Sequence, residues 1–306
     1  MMNPLQGQDD PTVLTKPFAI FQIELTNRCP FKCVMCARTH AMTRGQGDMT
    51  FDIFRCVIDE FVTVNAAYAG SHEVWMHGFG ESTLHPQLAE FVTYATDRGV
   101  NACLSVNPIM LTPAVGRALL EARPGMLFLS LDGHNDETFE KIRGLPSAYE
   151  QSKSRLLDFI AIKQAMRSQT RLVLSMINFK LNEASIAAAA DEWRKVEGLE
   201  QVLLKPFTVW DGSVADVNVF RQRQFERGPK VTCTYPFEKM TICWNGNVVP
   251  CCYDYDEKYV LGNVREQSLA DIWNAEPMRR LRREFLDNNV TNRLCRACPE
   301  LYGLDG

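Results

Sequence analysis

The chain has 306 residues, with 33 Lys and Arg against 37 Asp and Glu, and its net charge of −4 leaves no broad basic face for nucleic acid or an anionic membrane. Hydrophobic residues make up 46% and charged residues 23%, the balance of a globular enzyme with a sizeable core, so the 11 cysteines are not needed to staple a small fold. No apolar run approaches the roughly 20 residues that cross a bilayer. The N-terminus "MMNPLQGQDDPTVLTKPF" lacks the regions of a secretory signal, so a cytoplasmic protein with reduced thiols is expected.

Residues 1–17 read as an N-terminal extension. From 18 to 207 strands and helices alternate. "FAIFQIEL" (18–25) reads as a strand. Residues 50–66 have helical spacing, with Ile53, Val57, Ile58 and Phe61 on one face. "EVWMHGF" (73–79) is a strand and 86–99 a helix closed by Gly99. Further strands are expected at 101–106, 126–132, 171–177 and 200–207, with helices at 112–122, 147–168 and 183–197. Six strands alternating with helices predict a parallel sheet with right-handed crossovers, in the form of a partial (β/α)6 barrel of the α/β class. Chemistry in such folds sits at the C-terminal ends of the strands. The strand ends here run into "TNRC", "HGFGE", Asn107 and "SLDG".

Residues 208–230 show no steady period and read as a linker, with the basic run "RQRQFERGPK" (221–230) as a solvated face. From 231 to 306 a small second domain is expected. Its "MTICWNGNVVPCC" is a hairpin turning at Asn245-Gly246, and 268–289 is a single helix capped by Ser268.

Nine of the cysteines are grouped. Cys29, Cys33 and Cys36 lie within eight positions, as C-x3-C-x2-C, while Cys233, Cys243, Cys251, Cys252, Cys295 and Cys298 lie in the last quarter. Cys56 and Cys103 stand apart and read as small apolar residues. Zinc sites take four ligands, and no fourth Cys follows the first trio closely. A [4Fe–4S] cube held by three thiolates keeps one iron open, and that open iron gives a reason for three ligands rather than four.

"CPFKCVMC" after a first strand and "ELTNR" resembles the cluster motif of the radical S-adenosylmethionine (SAM) enzymes. "HGFGE" (77–81) resembles their glycine-rich "GGE" motif, with Phe79 where the first motif glycine stands. "SLDG" and "KIRG" resemble the segment whose Ser and Arg contact SAM. The resemblance implies Cys29, Cys33 and Cys36 as cluster ligands and Met35, Gly78, Phe79, Gly80, Glu81, Asn107, Ser130 and Arg143 as the SAM site. It further implies that SAM chelates the open iron and is cleaved by one electron, and that the resulting 5′-deoxyadenosyl radical abstracts hydrogen from substrate. A flavodoxin or ferredoxin electron donor is implied, with no nucleic-acid or membrane partner.

The later cysteines, C-x12-G-x4-C…C-x2-C, resemble the twitch domain, the short relative of SPASM, which holds one auxiliary [4Fe–4S] cluster. By position the ligands are Cys233, Cys251, Cys295 and Cys298, and a structural zinc site is the other object four thiolates suit. The three further cysteines of a full SPASM pattern do not follow Cys298, so a single auxiliary cluster is expected. Cys243 reads as structural. The resemblance to one-cluster enzymes such as 2-deoxy-scyllo-inosamine dehydrogenase implies oxidation of a carbinol to a ketone on an amino sugar or aminocyclitol in natural-product biosynthesis. A sugar epimerase, with Cys252 as the hydrogen donor, is the second expectation. Peptide maturation is the third, ranked lower because the first strand begins near Phe18 with no leader-binding domain before it. No G-x-G-x-x-G dinucleotide fingerprint follows a strand. Arg123, His134, Lys205 and Asp211 lie near strand ends or the linker, with no general base assigned among them.

Overall fold

The computed structural model describes residues 10–66, 70–220, 231 and 233–302, so the basic run at 221–230 lies outside the described residues. In chain order the elements are β1 (Ala19–Ile23), α1 (Ala37–His40), α2 (Phe51–Val64), β2 (Glu73–Trp75), α3 (Leu88–Asp97), β3 (Asn101–Val106), α4 (Pro113–Glu121), β4 (Met126–Ser130), α5 (Asp136–Arg143), α6 (Tyr149–Met166), β5 (Arg171–Asn178), α7 (Ile186–Trp193) and β6 (Gln201–Pro206). The C-terminal part adds α8 (Ala215–Asn218), α9 (Tyr235–Glu238), β7 (Lys239–Ile242), β8 (Asn247–Val249), β9 (Gly262–Asn263), α10 (Leu269–Trp273) and α11 (Glu276–Leu286).

Local chemistry sets the helix ends. Thr50 caps α2 by accepting from the Ile53 N–H, and α2 buries Ile53, Phe54, Val57, Ile58 and Phe61. Thr112 caps α4, with Pro113 at its first position, where a missing N–H costs nothing. Asn135 caps α5, Asp136 and Glu137 sit in its first turn, and Gly144 closes it at φ +68°. That helix was not expected from the sequence.

β1 to β6 form a parallel sheet in the order β6-β5-β4-β3-β2-β1, the expected partial barrel. Its outer face packs on the helices through the main core. Its inner face is concave. Trp75 of β2 and Phe128 of β4 meet at 4.6 Å although β3 lies between them, and the Lys205 amine of β6 lies 5.3 Å from the Phe128 ring centroid across β5. Strands about 4.8 Å apart in a flat sheet do not bring such pairs together.

The C-terminal hairpin, β7 and β8, turns at Asn245-Gly246 as expected, with Gly246 at φ +89°. It also continues the barrel sheet: β7 pairs parallel with β1 (Ala19↔Lys239), and β8 and β9 extend the edge antiparallel. The single helix expected at 268–289 is two. α10 ends at Trp273 and α11 begins at Glu276: Ala275 takes ψ 158° as the new N-cap, and Pro277 sits in the first turn of α11, where its missing N–H costs nothing. Among the described residues no helix is long and apolar enough to cross a membrane.

Candidate active site

The cysteine trio sits on the loop between β1 and α1. Cys33 is buried, Cys29 and Cys36 are partly buried, and Cys36 occupies the N-cap position of α1. The loop is held by the end of α5. Val34 donates its N–H to the Ile142 carbonyl (2.9 Å) and Lys32 donates to that of Arg143 (3.2 Å). Carbonyls that a helix end leaves without partners thus hold the cysteine loop in place. The Arg143 side chain reaches back into the loop. It donates to the Cys33 thiol (3.6 Å) and forms an ion pair with buried Asp132.

The "HGFGE" segment lies against the start of the same loop. Glu24 at the end of β1 is buried, accepts from the Phe79 N–H (3.2 Å) and is held by both terminal nitrogens of Arg44 (2.7 and 2.6 Å). A Cβ on Gly78 would strike the Glu24 side chain, and one on Gly80 would strike the Thr26 carbonyl. These glycines let two backbones approach closely. Replacing Gly80 with Ala is expected to destabilise the apo protein by about 1–3 kcal/mol. Gly45→Ala, where a Cβ meets nothing within 4 Å, is the control in thermal unfolding. Equal melting midpoints for the two variants would refute the close-approach account.

Glu81 is buried, and burial raises its pKa. Its carboxyl accepts from the N–H groups of Thr83 (3.3 Å) and Asn107 (3.1 Å), bracing β2 against β3. Ser130 Oγ lies 3.2 Å from Ser105 Oγ. Met35 is buried, and its carbonyl accepts from the indole N–H of Trp210 (2.8 Å).

The residues fit an anchored cluster with SAM beside it. Burial pushes the Cys29 thiol up to about 12 and the Cys36 thiol up to about 11, so thiolates here need a compensating cation such as iron. Among the described residues, buried Asn107 Nδ2, Arg143 Nε and Arg38 Nε have no hydrogen-bond partner, which leaves donors for a polar ligand at the rim. The trio, Gly78, Phe79, Gly80 and Glu81 meet at this rim with Asn107 and Arg143.

The second cysteine set gathers separately. Cys233, Cys251, Cys295 and Cys298 line one cavity of about 320 Å³, together with Tyr235 and Tyr253. Among the described residues no three His, Cys, Asp or Glu side chains converge on a single-ion site. Four thiolates around such a cavity suit either a structural zinc ion or a [4Fe–4S] cluster. Burial raises the Cys298 thiol to about 12 and lifts Cys295 as well. Cys252 is partly buried and directly follows the cavity-lining Cys251, without lining the cavity itself.

Trp210 joins the two sets. Its indole is bonded to Met35 between two trio cysteines, its ring packs on Phe79 (5.0 Å) and Tyr253 (5.8 Å), and its carbonyl lies 4.0 Å from the Cys298 sulfur. Its backbone is left-handed (φ +58°), which is uncommon for a bulky residue. Neither Trp210 nor the Glu24–Arg44 brace was expected. The sequence signal for Glu24 is an acid between Ile23 and Leu25 at the end of a mostly apolar stretch.

Residues 23–166 match the family model of the radical SAM superfamily, and residues 233–299 match that of the SPASM iron–sulfur cluster-binding domain. The tungsten-containing aldehyde ferredoxin oxidoreductase cofactor-modifying protein of Pyrococcus furiosus is 25% identical, over 90% of this chain and 86% of its own length. The AdoMet-dependent heme synthase of Methanosarcina barkeri is 28% identical, over 85% of this chain and 83% of its own length. Among solved structures, BtrN in complex with AdoMet and 2-DOIA superposes with a TM-score of 0.62 at 17% identity, covering 93% of this chain and 94% of that one.

Proposed function

We propose, for a chain that carries a radical SAM domain followed by a SPASM domain, that it oxidises a carbinol carbon of a sugar-like small molecule to a ketone. When bound, SAM and the [4Fe–4S] cluster supply hydrogen abstraction from unactivated carbon, and the auxiliary iron–sulfur site supplies an electron acceptor. In the overall change CH–OH becomes C=O, losing one hydrogen atom, one electron and one proton. Cys29, Cys33 and Cys36 would hold the first cluster and Cys233, Cys251, Cys295 and Cys298 the second. Arg143 holds positive charge against Cys33, and Glu81 and Asn107 form the rim where SAM would sit.

One observation carries the oxidation reading: Trp210 contacts both cysteine sets, through Met35 on one side and Cys298 on the other. Such a link suits a reaction that must pass an electron from the substrate to a second site. Epimerisation with Cys252 as hydrogen donor is the second reading. The expectation of an amino sugar or aminocyclitol rests on the likeness to BtrN with 2-DOIA, and at 17% identity that likeness carries the fold.

The mass of the product decides between the readings. Anaerobically reconstituted enzyme, SAM and a chemical reductant are incubated in deuterium oxide with a panel of sugars, cyclitols and their acids. Oxidation yields a ketone lighter by two hydrogens, with no hydrogen or deuterium at the reacting carbon. A product carrying one deuterium at an inverted carbon, lost in Cys252→Ala, would establish the epimerase instead.

A further inference from the structure

The concave face of the barrel is layered. Trp75, Cys103, Phe128, Val173 and Leu203, one from each of β2 to β6, pack together with Phe21 and Met126 as an apolar floor. Side chains alternate along a strand, so the next inward position is two residues on. Those positions hold His77, Ser105, Ser130, Ser175 and Lys205, all polar. Two residues further come Phe79, Asn107, Asp132, Ile177 and Phe207, and of these Ile177 and Phe207 pack against the cysteine loop. A band of polar positions, stepped by the stagger of the strands, therefore lies between an apolar floor and the rim that carries the cysteine trio.

The charges in this layer do not cancel. Lys205 has no ion pair or hydrogen bond among the described residues, and its amine sits 5.3 Å from the Phe128 ring centroid. Asp132, the carboxylate of the adjacent layer, is already taken by Arg143 and the Ile177 N–H (2.8 Å). His77 stacks edge-on against Trp75 at 5.3 Å, and its Nδ1 is buried without a partner among the described residues. Burial, with Lys205 adding to it, lowers His77 to about 4, so the imidazole is neutral and adds no charge. Lys205 is partly buried, and burial lowers its pKa while the Asp132 carboxylate only partly opposes the shift, so holding the ammonium here carries a cost. A carboxylate in the lumen relieves that cost, whereas an ammonium there would meet Lys205 as a like charge.

We propose that the substrate carries a carboxylate, held by the Lys205 ammonium with neutral His77 as a second hydrogen-bonding partner, over the faces of Trp75 and Phe128. This deepens the oxidation reading by naming the substrate class as a hydroxy acid, such as a sugar acid, in place of an amino sugar. It rests on that reading only in placing the substrate in the barrel lumen.

SAM carries a carboxylate of its own, so the test separates the two sources. Anaerobically reconstituted protein is reductively dimethylated with formaldehyde and a borane reductant, and Lys205 labelling is followed by peptide mass spectrometry. The arms are no addition, SAM, glycolate, its neutral twin glycolamide, and SAM with glycolate, all with chloride at matched ionic strength. Exposed Lys141 is the internal reference. With glycolate at ten times its Kd, Lys205 labelling is expected to slow about tenfold by mass action. Glycolamide and SAM alone should leave the rate unchanged, and Lys141 should not respond. Protection by SAM alone would assign Lys205 to the SAM carboxylate and overturn the proposal. So would equal protection by glycolamide, no protection by glycolate, or a Lys205 that is unlabelled in the free protein. Labelling needs no turnover, so failure here and failure of the oxidation reading are seen independently.

Discussion

Replacing Cys36 with Ala is expected to remove about four of about eight irons per chain and to reduce SAM cleavage below detection. Cys298→Ala is expected to remove a similar share of iron, leave reductive SAM cleavage in place and abolish substrate oxidation. The asymmetry follows from where the two sets lie. The trio is on the rim loop beside Arg143, Glu81 and Asn107, among donors without partners, and the quartet lines a cavity of about 320 Å³ behind Trp210. Metal analysis after anaerobic reconstitution, with electron paramagnetic resonance of the reduced protein, reads each cluster separately. About four irons and one zinc in the unaltered protein would make the quartet a structural zinc site and leave the oxidation reading without its acceptor. Loss of SAM cleavage in Cys298→Ala with the first cluster intact would show that the quartet serves the cleavage step itself.

The parts of this architecture that were legible in the sequence are those whose signals are local. Alternating apolar strands and amphipathic helices placed β1 to β6 within a few residues, because each element's period is written in its own segment. The cysteine trio stood out for the same reason: spacing within a loop is a property of that loop. What was not legible depends on distant partners. Pairing of β7 with β1 joins Lys239 to Ala19, and no local pattern in "KMTI" names that neighbour. Asp132 lay unnoticed within "SLDG", since its meaning comes from Arg143 eleven positions on and from the Ile177 N–H. Trp210 fell in a stretch with no period because a left-handed turn, and not a helix or strand, aims it at both cysteine sets. The polar layer became visible only once strand register showed that His77, Ser105, Ser130, Ser175 and Lys205 share one face, each two residues beyond a floor residue.

Arg143→Met is expected to destabilise the apo protein by about 3–5 kcal/mol, the usual consequence of leaving a buried charge without its partner. The Asp132 side chain is 1% exposed and that of Arg143 is 12% exposed, so water does little to screen the pair. Without the guanidinium, one oxygen of Asp132 keeps its bond from the Ile177 N–H and the other faces the interior alone. The penalty belongs to the orphaned carboxylate more than to the lost attraction. Arg143→Met combined with Asp132→Leu is therefore expected to recover most of the stability, as measured by denaturant unfolding of the apo chain. A double variant as unstable as the single one would show instead that Arg143 matters through its contact with Cys33 and the cysteine loop. Arg143→Lys separates charge from shape. Lysine keeps the positive charge but lacks the fork that spans Asp132 and Cys33 at once. It should retain much of the stability while weakening the grip on the loop, seen as slower cluster reconstitution and lower SAM affinity in equilibrium binding. The same side chain thus neutralises a buried acid and sets the position of a cysteine, which places a stabilising ion pair within reach of the chemistry.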